Sequence, residues 1–213
     1  MPIKRNYSRQ LPHLIPQGVP IFLTWNLKGA MPQTAMKSLH QERRRLEEQP
    51  SRPGETTADR KLREHKILFA IADRFLDRAV AGPMHLAHPP AAEIVENLTL
   101  SGASKQHELF AWCVMSNHVH VLLTPRVELK DVTQAIKGYA AFKINGMQNA
   151  RGRAFWQDES YDHWVLDEEE LFRIIHYIEN NPVAAGLCER PEDWPRSSAR
   201  FRPAWQPGDA YKK

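Results

Sequence analysis

Residues 108–125 read ELFAWCVMSNHVHVLLTP. Two apolar runs rich in β-branched and aromatic residues flank the polar pair Ser116-Asn117, which predicts a β-hairpin, although Ser-Asn is a weaker turn signal than Asn-Gly. Side chains alternate along a strand, so His118 and His120 share one face while Val119, Val121 and Leu123 share the other. The apolar set can face a core. Two imidazoles one pleat apart on the opposite face can then grip one divalent ion from a rigid support, or stand as ordinary exposed polar residues.

Upstream of the hairpin, Pro2, Pro12, Pro16 and Pro20 predict an extended arm, because each removes a donor and disfavours helix before it. Ile21–Leu27 reads as a strand. Residues 41–66 carry eight basic and six acidic side chains and almost nothing apolar, the composition of a surface insertion or mobile excursion. Within it, Arg43 to Arg45 could touch phosphate, but Glu47 and Glu48 favour a solvated helix end. Leu62–Val80 is helical by periodicity, with Ile67, Ile71, Phe75 and Leu76 near one stripe, and Gly82-Pro83 ends it. A further helix is expected from about Ala91 to Leu100, after Pro89-Pro90.

Downstream, Asp131 with Gln134 resembles a capping box opening a helix to about Asn149, with Val132, Ile136, Tyr139 and Ile144 as its apolar face. A short strand falls between Phe155 and Leu166. Asp167 and Glu170 form another start signal, for a helix through LFRIIHYIEN that Pro182 should stop. The order strand, helix, strand, strand, helix, strand, helix is that of an α+β, ferredoxin-like split βαβ antiparallel sheet with an appended C-terminal helix bearing Tyr177. The chain divides into a basic proline-rich arm (1–17), a catalytic domain (18–185, with the charged insertion at about 41–66) and a proline-rich basic tail (186–213). Such a fold hosts many functions, so chemistry must be read from particular side chains.

With 213 residues, 42% of them hydrophobic, the chain can bury a sizeable core, which excludes whole-chain disorder and a disulfide-stapled miniprotein. Cys113 and Cys188 form no C-x-x-C, so neither a thiolate zinc site nor a secreted-type disulfide framework is expected. The longest apolar run, Leu109–Met115, is seven residues, far short of a bilayer span. An intracellular, cytoplasmic, membrane-free protein is expected. The net charge of +4 says little, but residues 1–30 and 126–157 each carry +4 while 158–170 carry −7. That segregation suggests a polyanion-facing side; ordinary solvated faces would give the same blocks.

On the last helix, Leu171, Ile174, Ile175 and Ile178 form one apolar stripe, and Tyr177 and Asn181 lie one turn apart on its flank. Such a pair can present a hydroxyl and a metal-binding oxygen to the same point. It can equally be a border tyrosine and an asparagine helix stop.

The string CVMSNHVHVLLTP, a helix containing Lys137-Gly138-Tyr139, then FWQDESYDHW and IIHYIENNPVAAGL, together resemble the HUH single-tyrosine transposases. Within them the chain is most similar to the REP-associated tyrosine transposases. The resemblance covers roughly residues 18 to 200, and stretch 41–66 has no counterpart in the family's minimal domain. It implies that His118 and His120 form the HUH motif, that Tyr177 is the nucleophile, and that Asn181 can complete a site for Mg²⁺ or Mn²⁺. The implied activity is that of a metal-dependent endonuclease and strand transferase acting on single-stranded, hairpin-forming DNA through a 5′-phosphotyrosine. A phenol with a pKa near 10 is about one part in a thousand ionised at pH 7, so Tyr177 needs help from its surroundings.

For DNA, the resemblance directs attention to basic residues among aromatics: Lys137, Lys143, Arg151, Arg153 and Trp156, together with Lys4, Arg5 and Arg9 of the arm. Phe155 and Trp156 are as readily core. Glu159 or Asp162 could assist metal or proton transfer. Two other readings stay open: a non-cleaving domesticated hairpin binder, and a metal-dependent phosphodiesterase using water. Monomer and homodimer are both compatible with the sequence.

Overall fold

The computed structural model describes residues 18–77, 82–103, 105–158, 160–165 and 167–202. Four strands, β1 (Ile21–Asn26), β2 (His107–Val114), β3 (His118–Pro125) and β4 (Tyr161–Trp164), form one antiparallel sheet in the order β2-β3-β1-β4. This is the split arrangement expected, with the first strand central. β1 and β3 are in register with Asn26 opposite His118 and Thr24 opposite His120.

Strand alternation sends two sets of side chains to opposite faces. Ile21, Leu23, Trp25, Val119, Val121 and Leu123 pack under helices α3 (Pro89–Ser101) and α4 (Leu129–Met147). Phe22, Leu122, Ala111, Cys113 and Met115 pack on the other face against Phe69 and Ile178. Those two residues belong to α2 (Thr57–Asp77) and α5 (Glu168–Ala184). A register shift between Leu109 and Ala111 changes which face β2 presents, so Leu109 joins the first layer and Ala111 the second.

Several expectations are corrected. The charged stretch 41–66 is not an excursion without structure. It forms the end of α1 (Gln33–Glu48), a turn and the start of α2, with Arg43 to Arg45 on the solvated end of α1. Its charges pair with each other instead of burying apolar surface. The Arg60 guanidinium donates to the α1 carbonyls of Leu46 (3.0 Å) and Glu47 (3.1 Å), and Arg63 binds Glu55 at 2.7 Å. Arg63, and next the Arg52 amide, hold the Glu55 carboxyl down at about 2.

The buried line of α2 runs through Phe69, Ala72, Asp73 and Leu76; of the expected Ile67, Ile71, Phe75 and Leu76 stripe only Leu76 lies on it. A carboxylate takes a core position there. Helix α4 begins before the supposed capping box, with Glu128 at its N-cap and Asp131 inside its first turn. At α5 the start signal holds, since Asp167 accepts the Glu170 amide at 2.7 Å. Pro182 does not stop α5 but lies within it, because it falls in the last turn, where one lost hydrogen bond is tolerated. Beyond it the chain makes short turns and pairs Ser197 with Cys113, covering β2. Among the described residues no helix is long and apolar enough to cross a membrane.

Candidate functional site

His118 and His120 stand on β3 with side chains on the face covered by α2 and α5, and both are buried, at 1% and 0% exposure. The alternative that they stand as ordinary exposed polar residues on a strand is therefore excluded. Their Nε2 atoms lie 2.9 Å apart. Two ligand bonds of about 2.1 Å meeting near a right angle span roughly 3 Å, so the pair is spaced as two donors to one ion.

The outer nitrogens are held as well. His118 Nδ1 donates to Asn117 Oδ1 at 2.6 Å, because a carbonyl oxygen can only accept. His120 Nδ1 lies 2.8 Å from Thr24 Oγ1, which itself donates to Asp73 Oδ1 at 3.4 Å. With that hydroxyl proton committed to Asp73, Thr24 accepts from His120 Nδ1–H. Both Nδ1 positions then carry protons, and both Nε2 lone pairs point inward, the tautomers a divalent cation requires.

Tyr177 reaches this cluster from α5. Its hydroxyl donates to Asp73 Oδ2, and its ring centroid lies 6.0 Å from that of His120 and 6.0 Å from that of Phe22. Asn181, one turn later, is buried at 1% exposure. Among the described residues no group of three His, Cys, Asp or Glu is arranged as a metal site. A third protein ligand would have to come from another residue type, and the carboxamide of Asn181 is of the right chemistry. Two imidazoles are donors that suit several divalent metals, and a carboxamide oxygen would add to them without selecting one.

Of the residues expected to meet DNA, Lys4, Arg5 and Arg9 lie outside the described residues. Lys137 donates to Gln157 O (3.3 Å) and Ser160 Oγ (2.9 Å), and Arg153 donates to Asn145 Oδ1 and Gln148 Oε1. Lys143 lies 5.3 Å over the Tyr139 ring, and Arg151 is exposed. Trp156 is core, edge-on to Trp25, with its indole donating to Lys137 O, so it offers no open face for stacking. The α4 residues among them project from the helix that covers the sheet face opposite the His pair. Glu159 lies outside the described residues. Asp162 is paired with Leu23, which turns it away from the His118 face. The residues that sequence reasoning missed are Thr24, Asp73 and Asn117. Asn117 alone had a signal, its place beside the histidines.

Residues 91–181 match the family model described as transposase IS200 like. That span runs from α3 to Asn181 and includes both histidines and Tyr177. Over 103 residues the chain is 28% identical to a protein of Haemophilus influenzae named as a REP-associated tyrosine transposase; the match takes in 43% of this chain and 58% of that relative. The chain therefore matches somewhat over half the length of this curated relative. A solved REP-associated tyrosine transposase bound to a REP hairpin superposes with a TM-score of 0.50 and 15% identity, covering 90% of this chain and 83% of that one. At that identity the likeness bears on fold. A Deinococcus radiodurans structure described as a transposase aligns at a TM-score of only 0.33 and 19% identity, over 85% of this chain and 98% of its own. The resemblance drawn from the four sequence blocks is thus borne out, and so is the mixed helix and antiparallel-sheet fold.

Proposed function

We propose that the chain cleaves and rejoins single-stranded, hairpin-forming DNA, with Tyr177 as nucleophile and a Mg²⁺ or Mn²⁺ ion held by His118, His120 and Asn181. The observation that carries this reading is the convergence of the His pair and the Tyr177 hydroxyl on one buried face, linked through Asp73 and Thr24. The ion would polarise the scissile phosphate, worth several kcal/mol to the transition state. Everything else falls to the protein's own groups. Asp73 fixes the direction of the Tyr177 O–H and so aims its oxygen. Asn117 and Thr24 keep the imidazoles in the tautomers that leave Nε2 lone pairs free to bind metal. Phe22 packs edge-on against the tyrosine ring at 6.0 Å between centroids and helps fix its place.

In the chemical step the phenolic oxygen bonds to phosphorus, the bond to the 3′ oxygen breaks, and the leaving strand takes a proton to become a 3′-hydroxyl. The product is a 5′-phosphotyrosine. Its linkage keeps the phosphodiester energy, so another 3′-hydroxyl can reverse the step and join DNA without ATP.

A labelled single-stranded hairpin incubated with Mn²⁺ should give a protein–DNA adduct that survives denaturation, and Tyr177→Phe should abolish it. An adduct that persists in Tyr177→Phe refutes the assignment. Cleavage without an adduct would instead indicate attack by water, and binding without cleavage a non-cleaving binder.

A further inference from the structure

The charged helix α2 brings more to the site than Asp73. A cavity of about 420 Å³ opens between α2, β4 and α5, with Tyr177 in its wall. We propose that this cavity binds one nucleotide of single-stranded DNA, the one flanking the phosphate presented to Tyr177; the inference rests on the strand-transfer reading above and extends it.

The lining has two chemistries. Phe22 and Phe69, edge to face at 4.9 Å, and Ile174 supply an apolar wall. Lys66 and Arg74 from α2 and Arg173 from α5 supply cations. The two acids present are engaged within the protein. Asp73 holds Tyr177, while Glu170 accepts from His163 Nε2 at 2.9 Å and lies 3.4 Å from Lys66 Nζ.

With Lys66 shared with Glu170, Arg74 and Arg173 are the cations that face a ligand; a purely apolar ligand would gain nothing from them, and a bare phosphate would gain nothing from the apolar wall. A nucleotide uses both, with its nucleoside against Ile174 and the small exposed parts of Phe22 and Phe69 and its phosphate toward Arg74 and Arg173. The volume falls within the roughly 300–1,000 Å³ of small-molecule sites. Position is the further constraint. A phosphate in line with the Tyr177 oxygen leaves its neighbouring nucleoside beside the tyrosine, where this cavity lies. The lysines of α4 stand across the sheet and do not meet this need.

The test is titration of the intact protein with each of the four 2′-deoxynucleoside 5′-monophosphates, followed by NMR, with inorganic phosphate as comparator. At least one nucleotide should bind in the millimolar range and about tenfold or more tighter than phosphate. Ala70→Trp, at an exposed lining position, should fill the cavity and weaken binding by about tenfold or more. Arg173→Glu, also exposed, should do the same by charge reversal. Absence of binding by all four nucleotides up to ~10 mM, equal affinity for phosphate, or undiminished binding in both variants overturns the proposal. The adduct assay keeps the two claims apart. Nucleotide binding lost in the variants, together with no adduct from wild type, upholds the cavity and sinks the tyrosine chemistry; an adduct without nucleotide binding does the reverse.

Discussion

His120 is anchored at Nδ1 by Thr24 and His118 at Nδ1 by Asn117, and this decides which changes should be felt. Thr24→Val keeps the shape and removes the acceptor, and Asn117→Ala does the same for His118. Each should weaken Mn²⁺ binding by roughly 10–100-fold, as loss of a ligand's orienting partner does elsewhere. His118→Ala should remove most of the binding. Mn²⁺ titration followed by electron paramagnetic resonance would check this, and unchanged affinity in Thr24→Val would mean that the hydroxyl does not set the tautomer. The histidines, Tyr177 and Asn181 were legible because short motifs carry them. Thr24 and Asp73 were not. Thr24 faces His120 only through a pairing that spans 96 positions, and Asp73 reaches Tyr177 across 104. No local spacing encodes either contact.

At the scale of elements, the hairpin and both flanking helices were readable from periodicity, whereas the helix ends were not. Pro182 misled because a proline in the final turn forfeits little. The capping box at Asp131 misled because sequence cannot tell an N-cap acid from a first-turn acid, which is favourable there too. Helix α2 misled more deeply. Its charged first half reads as loop, and its buried carboxylate breaks the apolar pattern by which a core face is recognised. One close approach between elements gives a direct test. A Cβ on Gly102, at the end of α3, would lie 2.6 Å from Cε1 of His107, which is fully buried and donates through Nε2 to Thr99 O. Gly102→Ala should therefore cost ~1–3 kcal/mol by overpacking, seen as a lower Tm. No change would show that the imidazole can move aside.

Across the molecule, the segment after α5 is tied back to the sheet by charge. Glu96 on α3, almost fully buried, is contacted by Arg196 (2.8 Å), Arg200 (3.0 Å) and the Trp112 indole (3.3 Å). Removing both arginines strands a buried carboxylate. The Arg196→Ala, Arg200→Ala double variant should lose about 3–5 kcal/mol of stability in denaturant unfolding, and adding Glu96→Gln should restore much of it. A small loss in the double variant would mean that solvent reaches Glu96. The charge blocks seen along the chain have partners at this scale as well: Asp158 lies 3.7 Å from Lys28, and Glu170 pairs with Lys66 and His163. A net total conceals such pairings because it carries no geometry.

The central place of β1 has a kinetic consequence. Both of its hydrogen-bonded neighbours, β3 and β4, lie far down the chain: Ile21 pairs with Leu123 on one side and Trp164 on the other. A ribosome must emit about ninety further residues after this strand before its first partner begins, with Asn26 pairing to His118, so an apolar ribbon waits with both edges open. Loop closures of that length come before any reward in contacts, which puts the protein among slow folders, on the order of milliseconds to seconds, and exposes it to chaperones and self-association in the interval. The catalytic apparatus proposed above cannot assemble in a nascent fragment. Any activity on DNA begins only once the last helix has closed over the sheet.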